Sequence, residues 1–252
     1  MEDLERIAAR LEGDLDRKDA LREQAIPLCR GILRASTGAV RAMHQGADPA
    51  DAIHGAVKEA ARLAALLRDH PDVYGSGFVD EALQELAEAA VVHAILHRQP
   101  LPTPEALHCP PVAYVGGLGD AVGELRRAAL DAMRRAQWAE AERLLGWMDA
   151  LFDALLRFDQ PVASQVRRKQ DVARALIEKT RGELTVTMRG KALEDSIGTI
   201  LDELEKGRRS RKGAKPAPSD LDLDAESPYG GAGARAAGGA KGAAKGAGKA
   251  KR

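Results

Sequence analysis

Two short segments of this chain each place a pair of carboxylates one helical turn apart. Glu85 and Glu88 lie in Gln84-Glu85-Leu86-Ala87-Glu88-Ala89, and Asp120 and Glu124 in Gly119-Asp120-Ala121-Val122-Gly123-Glu124. On an α-helix, residues three or four apart share a face. Two such helices packed together would gather hard oxygen donors, the kind that magnesium takes. Acids at this spacing are also common on solvated faces, so their neighbours matter. Glu85 and Glu88 sit among Leu83, Leu86, Ala87, Ala89, Ala90, Val91 and Val92, where a helix carries its buried stripe. A buried carboxylate is costly unless it is paired, protonated or metal-bound. Asp120 and Glu124 are flanked in the same way by Val115, Leu118, Val122 and Leu125, with Gly116, Gly117, Gly119 and Gly123 leaving room for another backbone to approach.

The elements that must position these acids read as helices throughout. Ala, Leu, Glu and Arg dominate, and aromatic residues make up only 3% of the 252-residue chain, which favours helix over strand. Apolar periodicity and breakers place helices over residues 2–16, 19–46, 50–69, 77–98, 112–135, 137–158, 162–189 and 190–206. Gly46 ends the second of these, Pro49 suits the first turn of the next, and His70-Pro71 stops it. Five prolines make 99–111 a rigid connector around at most one helical turn. Leu193, Ile197, Ile200 and Leu204 follow a-and-d spacing, which suits packing on another helix or another subunit. The expected fold class is an all-α bundle of about seven helices over residues 1–206, followed by a disordered Gly/Ala/Lys-rich tail over 207–252 that lacks the apolar content to order itself.

Charge is segregated along the chain. The formal net charge is zero, yet the tail from Arg208 carries 11 basic and 4 acidic residues, leaving 27 basic against 34 acidic in the body. A polynucleotide binder gains affinity by neutralising phosphates, so an acidic body would need local basic clusters. Arg30, Arg34 and Arg41 fall at helical spacing on one helix, and Arg126, Arg127, Arg134 and Arg135 follow the second acidic pair. Arginine suits phosphate through its bidentate fork; a solvated, ion-paired face is the alternative. Met1-Glu2-Asp3-Leu4-Glu5-Arg6 opens charged and no run is long enough to span a membrane, so a cytoplasmic location with no membrane association is expected.

Other motifs carry less. His93 and His97 are four apart and could ligate zinc from one helical face, but no third ligand accompanies them in sequence. A ferritin-like di-metal oxidoreductase would need Glu-x-x-His pairs, which the chain lacks. Gly116-Gly117-Leu118-Gly119 lacks the ending of a P-loop and reads as a helix entry or close-packing segment. Cys29 and Cys109 match no metal spacing; packing is the expected role of Cys29, and Cys109 has none. Trp138 and Trp147 read as core or subunit-contact residues.

Over roughly residues 19–190 the chain resembles the translin and translin-associated factor X family of helical nucleic-acid-binding proteins. The resemblance rests on Arg22-Glu23 with Ile26-Pro27-Leu28 and Arg30, on Ala39-Val40-Arg41-Ala42-Met43-His44, on the Gln-Glu-x-x-Glu-Ala segment at 84–89, and on Tyr114 to Arg126. Leu156-Arg157-Phe158-Asp159, Arg168-Lys169-Gln170-Asp171 and Thr180-Arg181-Gly182-Glu183 extend it. The factor X type carries catalytic acids on two helices, and this chain is similar to it at Glu85, Glu88, Asp120 and Glu124. The stretch before the first acid helix, Gly75 to Ala82, has no Arg/His-rich character of the translin type. The resemblance implies a magnesium-dependent endoribonuclease (manganese being possible) acting on single-stranded or imperfectly paired RNA. It assigns catalysis to Glu85, Glu88 and Asp120 and metal binding to these with Glu124, as a ligand or one shell further out. It points to Arg34, Arg41, Arg126 and Arg127 as nucleic-acid contacts, and to a closed homo-oligomer, an octamer, with the acids facing an internal cavity. The alternative is a non-catalytic binder of single-stranded RNA or DNA, sequence-specific DNA included, in which the acids are structural.

Overall fold

Helical periodicity without strong interior breakers produces long helices. The computed structural model describes residues 1–158 and 164–213, and over them it holds seven helices and no strand: α1 Glu2–His44, α2 Ala50–Leu66, α3 Pro71–Tyr74, α4 Gly77–Leu96, α5 Pro111–Arg134, α6 Trp138–Leu155 and α7 Ser164–Gly213. The break expected between residues 16 and 19 does not occur. Asp16-Arg17-Lys18-Asp19 contains neither Gly nor Pro, and α1 runs unbroken for 43 residues with Pro27 inside it. Its end is where the sequence placed it, at Gly46, whose φ of +76° is the left-handed conformation that glycine adopts without strain. Residues 162–189 and 190–206 likewise join into one 50-residue helix. Gly190 costs a helix only about 1 kcal/mol, and Lys191 pairs one turn on with Asp195 at 2.9 Å. α7 continues past the expected end at 206 as far as Gly213; the remainder of the Gly/Ala/Lys-rich tail lies outside the described residues. α3, which the sequence did not announce, is a single turn begun by Pro71.

α4 is the centre of the bundle. It is apolar on almost every side, with residues from Val79 to Ile95 buried around its circumference, as a helix surrounded by others must be. One core cluster joins α4 to α1 and α2 and is closed by Leu107 and Cys109 of the connector. A second joins the end of α4 to α5, α6 and the start of α7 through Val91, Ile95, Leu118, Leu125, Met148, Leu155 and Ile177. α7 docks by a stripe at heptad-like spacing, Val166, Ala173, Ile177, Thr180 and Leu184, and from Thr185 to Arg209 its side chains are exposed. Both cysteines are free and buried; burial pushes the Cys29 thiol up to about 11 and that of Cys109 to about 12. Cys109, for which no role was expected, therefore packs from the connector into the core. Residues 1–201 form one unit; the second begins at Asp202, and its described part is the helical stretch to Gly213. No helix among the described residues is long and apolar enough to cross a membrane.

Candidate functional site

The two acidic pairs lie on the two helices that glycine packs together. A Cβ at Gly117 of α5 would stand 2.7 Å from the Ala87 Cβ and the Gln84 carbonyl oxygen and 2.9 Å from the Glu88 nitrogen of α4. Glycine thus lets α5 touch the backbone of α4 at the turn that carries Glu88. Gly116 makes room in the same way for the Gln84 side chain, and Gly119 for the Lys169 stem.

Around this contact the side chains form a linked set. Gln84 Nε2 donates to Asp120 Oδ2 at 2.7 Å, and Lys169 Nζ of α7 donates to Asp120 Oδ1. His44 Nε2, from the last turn of α1, donates to Glu124 Oε2. Glu88 is 8% exposed. Burial first, then the charges of Glu85, Asp120 and Glu124, push its carboxyl up to about 8, against the opposing pull of Lys169. Burial and the charge of Asp120 likewise raise Glu85. Neither Glu85 nor Glu88 forms a side-chain hydrogen bond with another described residue, and the cations facing the four carboxylates are Lys169 and, when protonated, His44.

Such a set is short of positive charge. Hard oxygen donors, partly desolvated and mutually repelling, fit a divalent cation such as magnesium or manganese. The four acids nevertheless do not converge as tightly as a closed coordination shell. Among the described residues the group of three ligands whose atoms gather within 4.8 Å of one another is Asp48, His93 and His97.

The structure separates the arginines that the sequence grouped. Arg34, Arg41 and Arg127 are exposed. Arg126 is tied down within the chain: Nη1 donates to Thr180 Oγ1 at 2.5 Å, and Nη2 lies 3.0 Å from Glu183 Oε2, with the side chain 13% exposed. It fastens α7 to α5. Sequence reasoning gave no site role to Lys169, Gln84 and His44. All three lie within segments that carried the family resemblance, but their pairing with Asp120 and Glu124 spans 36 to 80 residues and leaves no local trace.

No protein-family model matches the chain. An uncharacterised protein of Methanocaldococcus jannaschii is 30% identical over 191 residues, covering 74% of this chain and 85% of that protein. Among solved structures, that of AfC3PO superposes with a TM-score of 0.67 at 27% identity, covering 73% of this chain and 98% of the other. AfC3PO in complex with duplex RNA superposes with a TM-score of 0.59 at 26% identity over the same shares. The apo form of NeC3PO, 17% identical, shares the fold with a TM-score of 0.62 over 71% of this chain and 96% of its own.

Proposed function

We propose a function from one premise: this chain belongs to the translin family, whose fold it shares with the C3PO structures. It is a translin-type nucleic-acid-binding protein, and its activity is metal-dependent endoribonuclease cleavage of single-stranded or imperfectly paired RNA. It works in the cytoplasm, inside a closed homo-oligomer, an octamer as the family implies. The observation that carries the reading is the buried Glu88, set against Glu85 and Asp120 where α4 and α5 touch.

Glu85, Glu88 and Asp120 would hold the ion, with Glu124 as a fourth ligand or bonded to one. Magnesium or manganese bound there supplies activation of water and compensation of charge on the scissile phosphate. The chain's own residues prepare that place. Gln84 and Lys169 fix the Asp120 carboxylate by one oxygen each, and a carboxylate oxygen with one donor keeps a second lone pair for a cation. His44 holds Glu124. Glu88 gives up its proton to admit the ion. Exposed Arg34, Arg41 and Arg127 offer phosphate contacts to the RNA, and AfC3PO, which shares this fold, forms a complex with duplex RNA. Arg126 contributes indirectly by keeping α7, and with it Lys169, against α5.

A second reading is favoured by one feature. Asp120 and Glu124 already have partners in Lys169 and His44, as structural acids in a non-catalytic binder of single-stranded RNA or DNA would. A labelled RNA with paired and unpaired segments, incubated with magnesium or with EDTA beside a Glu85→Gln/Glu88→Gln variant, separates the two. The nuclease reading expects magnesium-dependent cleavage by the parent protein and none by the variant, with RNA binding retained by both. Tight binding without cleavage by either protein would leave the binding module. Hairpin, duplex and unpaired substrates compared side by side test the preference for unpaired RNA.

A further inference from the structure

The sequence offered His93 and His97 as a helical pair without a third ligand, and the fold supplies one from 45 residues away. Asp48 lies in the short loop between α1 and α2, and its Oδ1 is 3.4 Å from His93 Nε2. The two imidazole rings stand 4.3 Å apart, centroid to centroid. One ligand atom from each of the three residues falls within 4.8 Å of the others. We propose that Asp48, His93 and His97 form a second metal site, separate from the acidic cluster, for a transition-metal dication of the zinc type.

Four features support this site. Two imidazoles and one carboxylate are the donors that borderline dications select, whereas magnesium prefers oxygen alone. His97 Nδ1 is 3.0 Å from the His93 carbonyl oxygen. Donation there fixes the tautomer that leaves Nε2 as the metal-binding nitrogen, the arrangement usual for ligating histidines. His93 lies in the last turn of α4 and His97 is its C-cap, where the unpaired carbonyls and the helix dipole favour positive charge. Finally, the group that has to move is an exposed one. Ligand atoms in a tetrahedral shell lie about 3.4 Å apart for bonds near 2.1 Å, so the trio must close by roughly 1 Å. The Asp48 side chain, 68% exposed, can swing in by loosening the hydrogen bond that its Oδ1 accepts from the Ala50 N–H at 2.9 Å, while that of His93, 13% exposed, is held.

Three protein ligands leave a fourth position for water or a ligand atom, so the site is open. Its effect on the chain is a clamp, tying the loop after α1 to the end of α4. α1 carries His44, the partner of Glu124, four residues before Asp48.

The test uses the full, untagged chain and cobalt(II) as a visible stand-in for zinc. With magnesium in large excess to fill the acidic cluster, expected are one cobalt equivalent per chain with d–d absorption, displaced by zinc, and a Tm raised by a few degrees with zinc in excess. Asp48→Asn and His97→Ala alter exposed side chains and should keep the fold while weakening uptake at least 100-fold. Glu85→Gln/Glu88→Gln should leave uptake intact. Absence of uptake, equal uptake by His97→Ala, or loss of uptake in the Glu85/Glu88 variant would each overturn the site.

Discussion

Glu88 makes the stability of the bundle depend on pH. Burial and three neighbouring carboxylates push its carboxyl from the ordinary value of 4.5 up to about 8. An acid raised in this way keeps its proton in the folded protein after the unfolded chain has lost it. The folded state therefore binds more protons between those two values, and stability falls as pH rises from about 4.5 to about 8. Glu88→Gln should flatten that decline, measured as Tm against pH; parallel profiles for the two proteins would remove Glu88 as its source. The same proton competes with a cation, so cleavage at limiting magnesium should climb with pH, and the rise should move to lower pH as magnesium is increased. The four acids were legible in the sequence because apolar neighbours and a family pattern marked them. Lys169, His44 and Asp48 were not, since each gains its meaning from a partner 45 to 80 residues distant that only the packing brings near. Arg126 looked in sequence like its neighbour Arg127, and the buried Thr180 together with the half-buried Glu183 of α7 sets the two apart.

At the scale of elements, the contact between α4 and α5 is set by glycine. Gly117→Ala would drive a methyl to within 3 Å of backbone and side-chain atoms of α4. The expected cost is about 1–3 kcal/mol, together with loss of RNA cleavage as Glu88 and Asp120 are pushed apart. Gly123→Ala is the control on the same helix: nothing lies within 4 Å of its added Cβ, and alanine's helix propensity should stabilise by up to about 1 kcal/mol. Denaturant unfolding of the two variants reads the difference, and equal effects would show that the close approach is not what glycine provides. Ala136, which ends the α5 segment at φ +56°, occupies a conformation that costs an L-residue about 1–2 kcal/mol. Part of that is recovered in Ala136→Gly, offset by glycine's greater freedom when unfolded, so a small rise in Tm is expected; a fall would show that the turn is held by more than its backbone angle. Helix ends at Gly46 and at the prolines were readable because a breaker announces them. The continuity of α1 and α7 was not, because the charged stretches at 16–19 and around 190 contain nothing that obliges a helix to stop.

On the scale of the whole molecule, the long helices carry more apolar surface than one chain covers. Within residues 1–201, α7 docks by Val166, Ala173, Ile177, Thr180 and Leu184, yet Leu193, Ile197 and Ile200 are about half exposed. At 100° per residue, this second stripe lies roughly half a turn around the helix from the first, so it faces away from the surface that α7 already covers. On α1 the situation is different: Leu4, Ile7, Leu11 and Leu15 are exposed but lie close to the line of the buried Ala25, Cys29 and Ile32, continuing the same seam. Each large apolar side chain buried by a partner is worth about 1.5–3 kcal/mol, and seven of them repeated by symmetry in a closed ring are enough to hold an assembly at micromolar concentration. The proposed octamer should therefore run in light scattering at about eight times the 26.9 kDa chain mass. Ile197→Asp and Leu11→Asp should each shift the mass downward without loss of helical circular dichroism, because neither side chain supports its own bundle. If cleavage needs the enclosed cavity, the smaller species should still bind RNA but cut it slowly. A parent chain that is monomeric at micromolar concentration, or variants that keep the full mass, would remove these stripes as the assembly surface and leave the acidic cluster to be judged on a single chain.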